Sequence, residues 1–141
     1  MKGEKDYIRA IEILNLLQTN YKKLGRAKVL IEHTKYITLV RKAAYKGNIE
    51  AQFELGLNYE DQNYFVSNPM FNKKSRFYWY LKAAKALHPE ASNNLASLYE
   101  KGEGTKKDLN KALFFYKQAS ELGCSYAKEN YKILLNQLRK R

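Results

Sequence analysis

The sequence predicts an all-α fold, an α/α solenoid of about three helical pairs followed by a C-terminal capping helix. Internal repetition is the first reason. Residues 79–84 resemble residues 115–120 at an offset of 36, and a third copy around residues 42–59 precedes the middle one by 40. A fixed period of this length is typical of stacked helical pairs. The second reason is that strand-like alternation is absent, whereas helical spacing of apolar residues extends through most of the sequence.

Helical spacing and helix-terminating residues divide the chain into seven predicted helices. The first is apolar on more than one face, with Ile11, Leu14 and Leu16 among its residues, which indicates packing on two sides or an interface. The second keeps its apolar residues at regular helical spacing, and the other five carry the repeated small and aromatic residues. The predicted helices span residues 6–24, 27–46, 48–61, 73–87, 89–101, 108–122 and 125–139.

Glycine, proline and capping residues mark the predicted helix ends. Gly25, Gly47 and Gly123 stand where a helix is expected to end, which predicts left-handed C-terminal caps. Pro89 fits the first turn of the fifth helix, where a missing N–H is harmless, and Asp108 is a suitable N-cap for the sixth.

Small residues at equivalent helix positions predict close packing between helices. Ala51, Ala91 and Ala127 recur in this way. Gly56 lies inside the third helix at a cost of about 1 kcal/mol relative to Ala, which predicts close contact with a neighbour there. Large aromatic residues are then expected to fill the space between the helices: Tyr59, Trp79, Tyr80, Tyr99, Phe115 and Tyr116.

Composition indicates one globular domain over residues 1–141, with a net charge of +12. No apolar run approaches the ~18 residues that a membrane span requires, and the charged start lacks the apolar core of a signal peptide. Cys124 is the single cysteine, which excludes an internal disulfide and fits a reducing compartment. We therefore expect a cytoplasmic protein that does not act at a membrane.

Residues 51–59, with the sequence Ala-Gln-Phe-Glu-Leu-Gly-Leu-Asn-Tyr, resemble the first helix of a Sel1-like repeat, a relative of the tetratricopeptide repeat. Residues 99–104 with Asp108, followed by residues 111–119, resemble the loop and second helix of the same family. Small, aromatic and glycine positions agree in register over two and a half units.

The resemblance covers about residues 38–135, within a predicted repeat region of residues 38–138. Residues 1–37 look like a degenerate helical pair that caps the array. The resemblance implies a module that binds other proteins without catalysis and without a cofactor. Such a module serves as an adaptor or scaffold, or as a stoichiometric, immunity-type inhibitor of a toxin or effector.

The first helix of each pair lines the concave face in repeats of this type, so its outward positions are candidate partner contacts. Six of the 14 acidic residues fall in this set, against the single lysine Lys101. This predicts an acidic groove for a basic segment or helix of another protein, and an ordinary solvated surface is the alternative. The candidate groove residues are Glu50, Phe53, Leu57, Glu60, Asp61, Glu90, Asn93, Ser97, Glu100, Tyr126 and Glu129.

A longer loop over residues 60–72 is the second candidate site. Aromatic side chains exposed on a loop are typical binding anchors, and packing of one or two of them onto the neighbouring layer is the alternative. The candidate loop residues are Tyr64, Phe65, Met70 and Phe71.

No local pattern indicates catalysis, a metal or a cofactor. His33, His88 and Cys124 lie far apart in the sequence, whereas a zinc site requires about four ligands in fixed geometry. The segment 102–104, Gly-Glu-Gly, lacks the Gly-Lys-Ser/Thr ending of a phosphate-binding loop.

Nucleic-acid binding is the main alternative function. The basic segments 73–76 and 139–141 offer cations for phosphates, and the twelve tyrosines offer stacking surfaces. Eight or more of the aromatic residues occupy repeat core positions, however, and the basic residues are spread over several helix ends, as solubilising lysines are. The sequence therefore favours a protein partner, with the chain as a monomer or weak dimer.

Overall fold

The computed structural model describes residues 2–59 and 72–141, and the regular structure in these ranges is entirely helical. The chain divides into two compact units, Met1–Leu55 and Gly56–Arg141. Three successive pairs of helices and a final helix confirm the predicted all-α fold. The helices are α1 (Glu4–Asn20), α2 (Arg26–Tyr45), α3 (Ile49–Asn58), α4 (Lys73–Lys85), α5 (Pro89–Lys101), α6 (Leu109–Glu121) and α7 (Ala127–Arg139).

The largest departure from the predicted helix ends lies between α1 and α2. The Asn20 carbonyl accepts hydrogen bonds from the N–H groups of Lys23 and Leu24, at 2.8 and 3.0 Å, and closes a turn after α1. Gly25 has φ −62° and ψ 157°, an extended conformation, and is the N-cap of α2. The prediction of a left-handed C-cap at Gly25 is wrong, because the chain leaves α1 before it reaches this residue.

Helices α2, α4 and α6 end in one capping arrangement, and α5 repeats it, with Gly102 at φ 71° and the Glu103 N–H bonded to the Leu98 carbonyl at 3.0 Å. In each, an N–H just beyond the helix bonds to the carbonyl five residues earlier, as in a Schellman motif. The bonded pairs are Asn48–Ala43, His88–Ala83 and Cys124–Ala119, at 3.1, 3.0 and 2.9 Å. The residue before each of these donors is left-handed. Gly47 and Gly123 confirm the prediction with φ of 94° and 96°, and Leu87 takes the same position with φ 64°.

In the first unit, α1 packs along α2, and Ala10 and Val40 are fully buried. Asp6 on α1 accepts a hydrogen bond from Nζ of Lys46, the C-cap residue of α2, at 2.5 Å and lies 3.2 Å from Lys42 Nζ. The hydrogen bond from Lys46, with a smaller contribution from Lys42, holds the pKa of Asp6 below its usual 3.8. Opposite charges therefore join the start of α1 to the end of α2.

In the second unit, α5 packs against both α4 and α6, and α7 packs against α6. Tyr99 of α5 stacks on Phe115 of α6, with ring centroids 5.8 Å apart and planes 4° from parallel, and meets Phe77 of α4 edge-on at 5.3 Å. A Cβ atom at Gly56 would lie 2.5 Å from Cε1 of Tyr80, a fully buried residue of α4. This close approach confirms the prediction made for Gly56.

Candidate partner-binding surface

The predicted groove residues lie on α3 and α5 and around the start of α7, except for two that lie outside the described residues. On α3, Glu50 is exposed, Phe53 is half-buried and Leu57 is 36% exposed. Glu60 and Asp61 lie outside the described residues and stay predictions. The same holds for the candidate loop residues Tyr64, Phe65, Met70 and Phe71.

Asn93 on α5 differs from the expected outward position, because it is only 6% exposed. Its side-chain oxygen accepts a hydrogen bond from Asn130 Nδ2 on α7 at 2.9 Å. A buried amide with a satisfied partner fixes the relative positions of the elements that it joins. Asn93 therefore links α5 to α7 and does not face solvent.

A second polar link joins α6 to α4 and α5. Gln118 Nε2 donates to the Ala84 carbonyl at 3.0 Å and to the Ser92 hydroxyl at 2.9 Å. Ser92, fully buried, donates in turn to the His88 carbonyl at 2.9 Å. Since these buried polar groups are hydrogen-bonded, they stabilise one arrangement of the three helices. These hydrogen bonds therefore tie α4, α5 and α6 of the second unit together.

Glu100, near the end of α5, accepts a hydrogen bond from the Tyr116 hydroxyl of α6 at 2.7 Å. Burial, together with the bond to Glu100 and its charge, raises the pKa of Tyr116 well above its usual value. Glu100 also lines a cavity of about 280 Å³ with Lys101, Lys107 and Arg141. The charges around this cavity are mostly positive, whereas the sequence predicted an acidic groove.

A partly exposed acidic patch lies where α5 and α7 begin, and we define it as Glu90, whose side chain is 45% exposed, Tyr126 and Glu129. Burial, a hydrogen bond to Cys124 and the charge of Glu90 raise the pKa of Tyr126 to about 12. Tyr126 is still 49% exposed, and Glu129, one helical turn further on, is exposed as well. The patch therefore presents two carboxylates and a neutral phenol to a partner.

Ser97 lies beside an ion pair that the sequence did not reveal. Arg76, expected in an exposed basic cluster, is 9% exposed and pairs with Glu103 in the loop after α5. Both side chains line a cavity of about 250 Å³ with Ser97 and Lys101. The two partners are 27 residues apart and meet only through the fold, so no local pattern indicates them.

Structural roles account for two residues that were considered as metal ligands. His88 is the N-cap of α5, and its Nδ1 accepts from the Ala91 N–H at 3.2 Å, as the sequence indicated for a cap. Cys124 is buried. Over residues 2–59 and 72–141, no three His, Cys, Asp or Glu side chains are grouped to hold a metal ion. Within the same ranges no helix has the length and apolar character needed to cross a membrane.

Comparison with known proteins agrees with this architecture. The family model described as Sel1 repeat matches residues 49–86 and 89–124, which contain α3–α4 and α5–α6. The chain is 29% and 27% identical, over 105 residues, to DAP3-binding cell death enhancer 1 of Mus musculus and of Rattus norvegicus. These matches cover 74% of this chain and 19% of each relative, so the chain spans about a fifth of their length.

Two solved structures align with most of this chain. A Sel1 repeat protein from Oxalobacter formigenes aligns with a TM-score of 0.72 at 28% identity, covering 92% of this chain and 89% of that one. The protein c5321, described as a protective antigen of uropathogenic Escherichia coli with an SLR fold, aligns with a TM-score of 0.67 at 28% identity. That alignment covers 91% of this chain and 26% of c5321.

Proposed function

The chain belongs to the Sel1 repeat family, and we propose that it is a non-catalytic module that binds one protein partner through the acidic patch. Sel1 repeat proteins are generally protein-interaction modules. The observation that carries the proposal is the exposure of Tyr126 and Glu129 beside the half-buried Glu90, on helices that are joined by part-buried hydrogen bonds. A preformed surface binds with little loss of conformational entropy.

The chemistry of the patch favours a basic segment or helix of the partner. Carboxylates form their strongest hydrogen bonds with Arg and Lys side chains, and a neutral tyrosine adds a donor and an aromatic face. The chain as a whole carries 26 Lys and Arg residues, so most of its surface repels a basic segment. Electrostatic complementarity therefore directs such a segment to Glu90 and Glu129.

Two versions of this function remain, an adaptor and a stoichiometric inhibitor of the immunity type, both in a cytoplasmic setting. The relatives from mouse and rat carry a name that attributes binding of another protein, DAP3, to them, which supports a protein partner here. An inhibitor suppresses the activity of its partner at a 1:1 ratio, whereas an adaptor leaves that activity intact. Assaying the partner with and without this chain separates the two.

Nucleic-acid binding is not favoured. Part of the basic cluster at residues 73–76 is committed to the fold, because Arg76 is buried and paired with Glu103. The buried aromatic residues Trp79, Tyr80 and Tyr99 are likewise unable to stack on bases.

Affinity capture tests the proposal, with the tagged chain, nuclease treatment in parallel and identification of the retained molecules. We expect one stoichiometric protein that survives nuclease and is lost with the double variant Glu90→Lys/Glu129→Lys. Glu121→Lys is the matched control, because Glu121 is an exposed glutamate of α6 outside the patch. Recovery of nucleic acid alone, or equal capture by both variants, contradicts the proposal.

A further inference from the structure

A polar cavity of about 250 Å³ lies beside α4 and α5 in the second unit, and we call it the Arg76 cavity. It is lined by Arg76 of α4, by Asn94, Ser97 and Lys101 of α5, and by Glu103 of the loop after α5. The three residues of α5 are spaced three and four apart, so they share one face of the helix. Over residues 91–99, Asn94 and Ser97 are the two that are not buried, so the cavity marks where this helix meets solvent.

Arg76 brings a buried charge to this cavity. The residue is 9% exposed, and its Nη2 donates to a carboxylate oxygen of Glu103. Its Nε–H is also buried and has no hydrogen-bond partner among the residues that the structure describes. An unsatisfied buried donor on a charged group is unfavourable, so the guanidinium favours a further acceptor. The side chain of Glu103 is 33% exposed, so the ion pair is open to solvent.

The loop that carries Glu103 is held in place on both sides. The Glu103 N–H donates to the Leu98 carbonyl of α5 at 3.0 Å. A Cβ atom at Gly104 would lie 2.2 Å from the carbonyl oxygen of Lys73, so the loop backbone packs directly against the start of α4. This side of the cavity is therefore preformed, which lowers the entropic cost of binding a ligand.

The charges around the cavity favour a ligand with a single negative charge. Arg76 and Lys101 are cations and Glu103 is an anion, so one positive charge is left without a counterpart in the lining. Asn94 Oδ1 accepts from Asn93, which leaves the Asn94 amide NH2 as a neutral donor. A carboxylate carries one charge and two coplanar oxygens, which match the planar guanidinium, whereas a phosphate dianion exceeds the charge that the cavity balances.

We propose that the Arg76 cavity binds a carboxylate, whose oxygens accept from the Nε–H of Arg76 and from the ammonium group of Lys101. The site is separate from the acidic patch, because Glu90 and Lys101 are about 16 Å apart along α5. The two sites take ligands of opposite charge. The carboxylate site is therefore tested on the full chain with defined acids, independently of any protein partner.

Heteronuclear NMR follows the Nε–H resonance of Arg76 directly. We expect millimolar N-acetylglycine to shift this resonance until it saturates, whereas the neutral analogue N-acetylglycinamide leaves it in place and inorganic phosphate binds more weakly. A blocked peptide, acetyl-Ala-Ala-Glu-Ala-Ala-amide, is compared with its Gln analogue to identify the source of the carboxylate. Tighter binding of the Glu peptide than of N-acetylglycine assigns a peptide side chain as the source, and weaker binding assigns a small free acid.

Charge variants test which residues hold the acid. Lys101→Met keeps the alkyl stem but loses the ammonium group, so the dissociation constant of N-acetylglycine should rise at least about fivefold. Lys85→Met is the matched control, because Lys85 is an exposed lysine of α4 that does not line the cavity. Glu103→Gln keeps an acceptor for Arg76 and removes the competing charge, so it should tighten binding, which a purely structural ion pair would not do.

Four results overturn the proposal. They are an Arg76 resonance that N-acetylglycine does not move, an equal shift with N-acetylglycinamide, tighter binding of phosphate than of the acid, and equal weakening by Lys101→Met and Lys85→Met. Failure of Glu103→Gln to tighten binding would contradict the charge argument in the same way.

Discussion

Gly56 is expected to resist even the smallest side chain, although alanine is the better helix former. A Cβ atom there would lie 2.5 and 2.6 Å from Cε1 and Cδ1 of Tyr80, whereas carbon atoms pack at about 3.5–4.0 Å. Tyr80 is fully buried, so its ring has no solvent to move into. Overpacking of this kind costs about 1–3 kcal/mol, and the helix propensity of alanine returns about 1 kcal/mol.

The net expectation for Gly56→Ala is a loss of up to about 2 kcal/mol, or up to roughly 7 °C in Tm for a chain of this length. Thermal and urea unfolding measure it. Tyr80→Leu supplies the decisive background, because it removes the ring that the new methyl group meets. In that background Gly56→Ala should become neutral or stabilising. A stabilising effect in the wild type, or an equal loss in both backgrounds, refutes the reasoning.

Three further predictions concern single contacts. Gly123→Ala lowers the free energy of unfolding by about 1 kcal/mol, because φ is 96° at this residue. Nothing lies within 4 Å of a Cβ atom there, so urea unfolding of this variant measures backbone strain without a steric clash. Asp6→Asn is less stable than wild type at neutral pH, and the difference in the free energy of unfolding shrinks as the pH falls below 3.8. The reason is that the carboxylate of Asp6, whose pKa is lowered in the folded state, stabilises the fold only while it is ionised. Parallel urea titrations that show a constant difference would be inconsistent with this prediction. Tyr116→Phe lowers the free energy of unfolding by about 1–2 kcal/mol, because it removes the hydroxyl that donates to Glu100. In the wild type the raised pKa of Tyr116 causes a loss of stability above pH 10.0, and this loss is absent in the variant. Unfolding followed by circular dichroism, at neutral pH and above pH 10.0, checks both effects.

Much of the fold was predictable, because its determinants are local or periodic. The repeated small residues placed the helical pairs, and Gly47 and Gly123 located two of the helix ends. Leu87 takes the same left-handed position without a glycine, so residue type alone did not reveal this helix end. Gly25 shows the converse, since a glycine after an apolar helix is also a suitable N-cap for the next one.

The candidate surface was less predictable, because partners distant in sequence decide which side chains face solvent. Helical spacing assigned Asn93 an outward position, but Asn130 on α7 holds it inside. The sequence prediction for Glu100 did not include the charges of Lys107 and Arg141, which the fold brings beside it. Tyr126 and Glu129 are exposed and Glu90 is half-buried, and the role of all three as partner contacts stays a prediction.

Photo-crosslinking from the position of Tyr126 tests the central claim most directly. A photoreactive phenylalanine derivative replaces Tyr126 in one variant and Phe114, a 61% exposed residue of α6 outside the patch, in the control. The account predicts that the Tyr126 variant crosslinks to the captured protein partner within a basic segment, and that the Phe114 variant does not. Crosslinking from Phe114 but not from Tyr126, or crosslinking of Tyr126 only to nucleic acid, would contradict it.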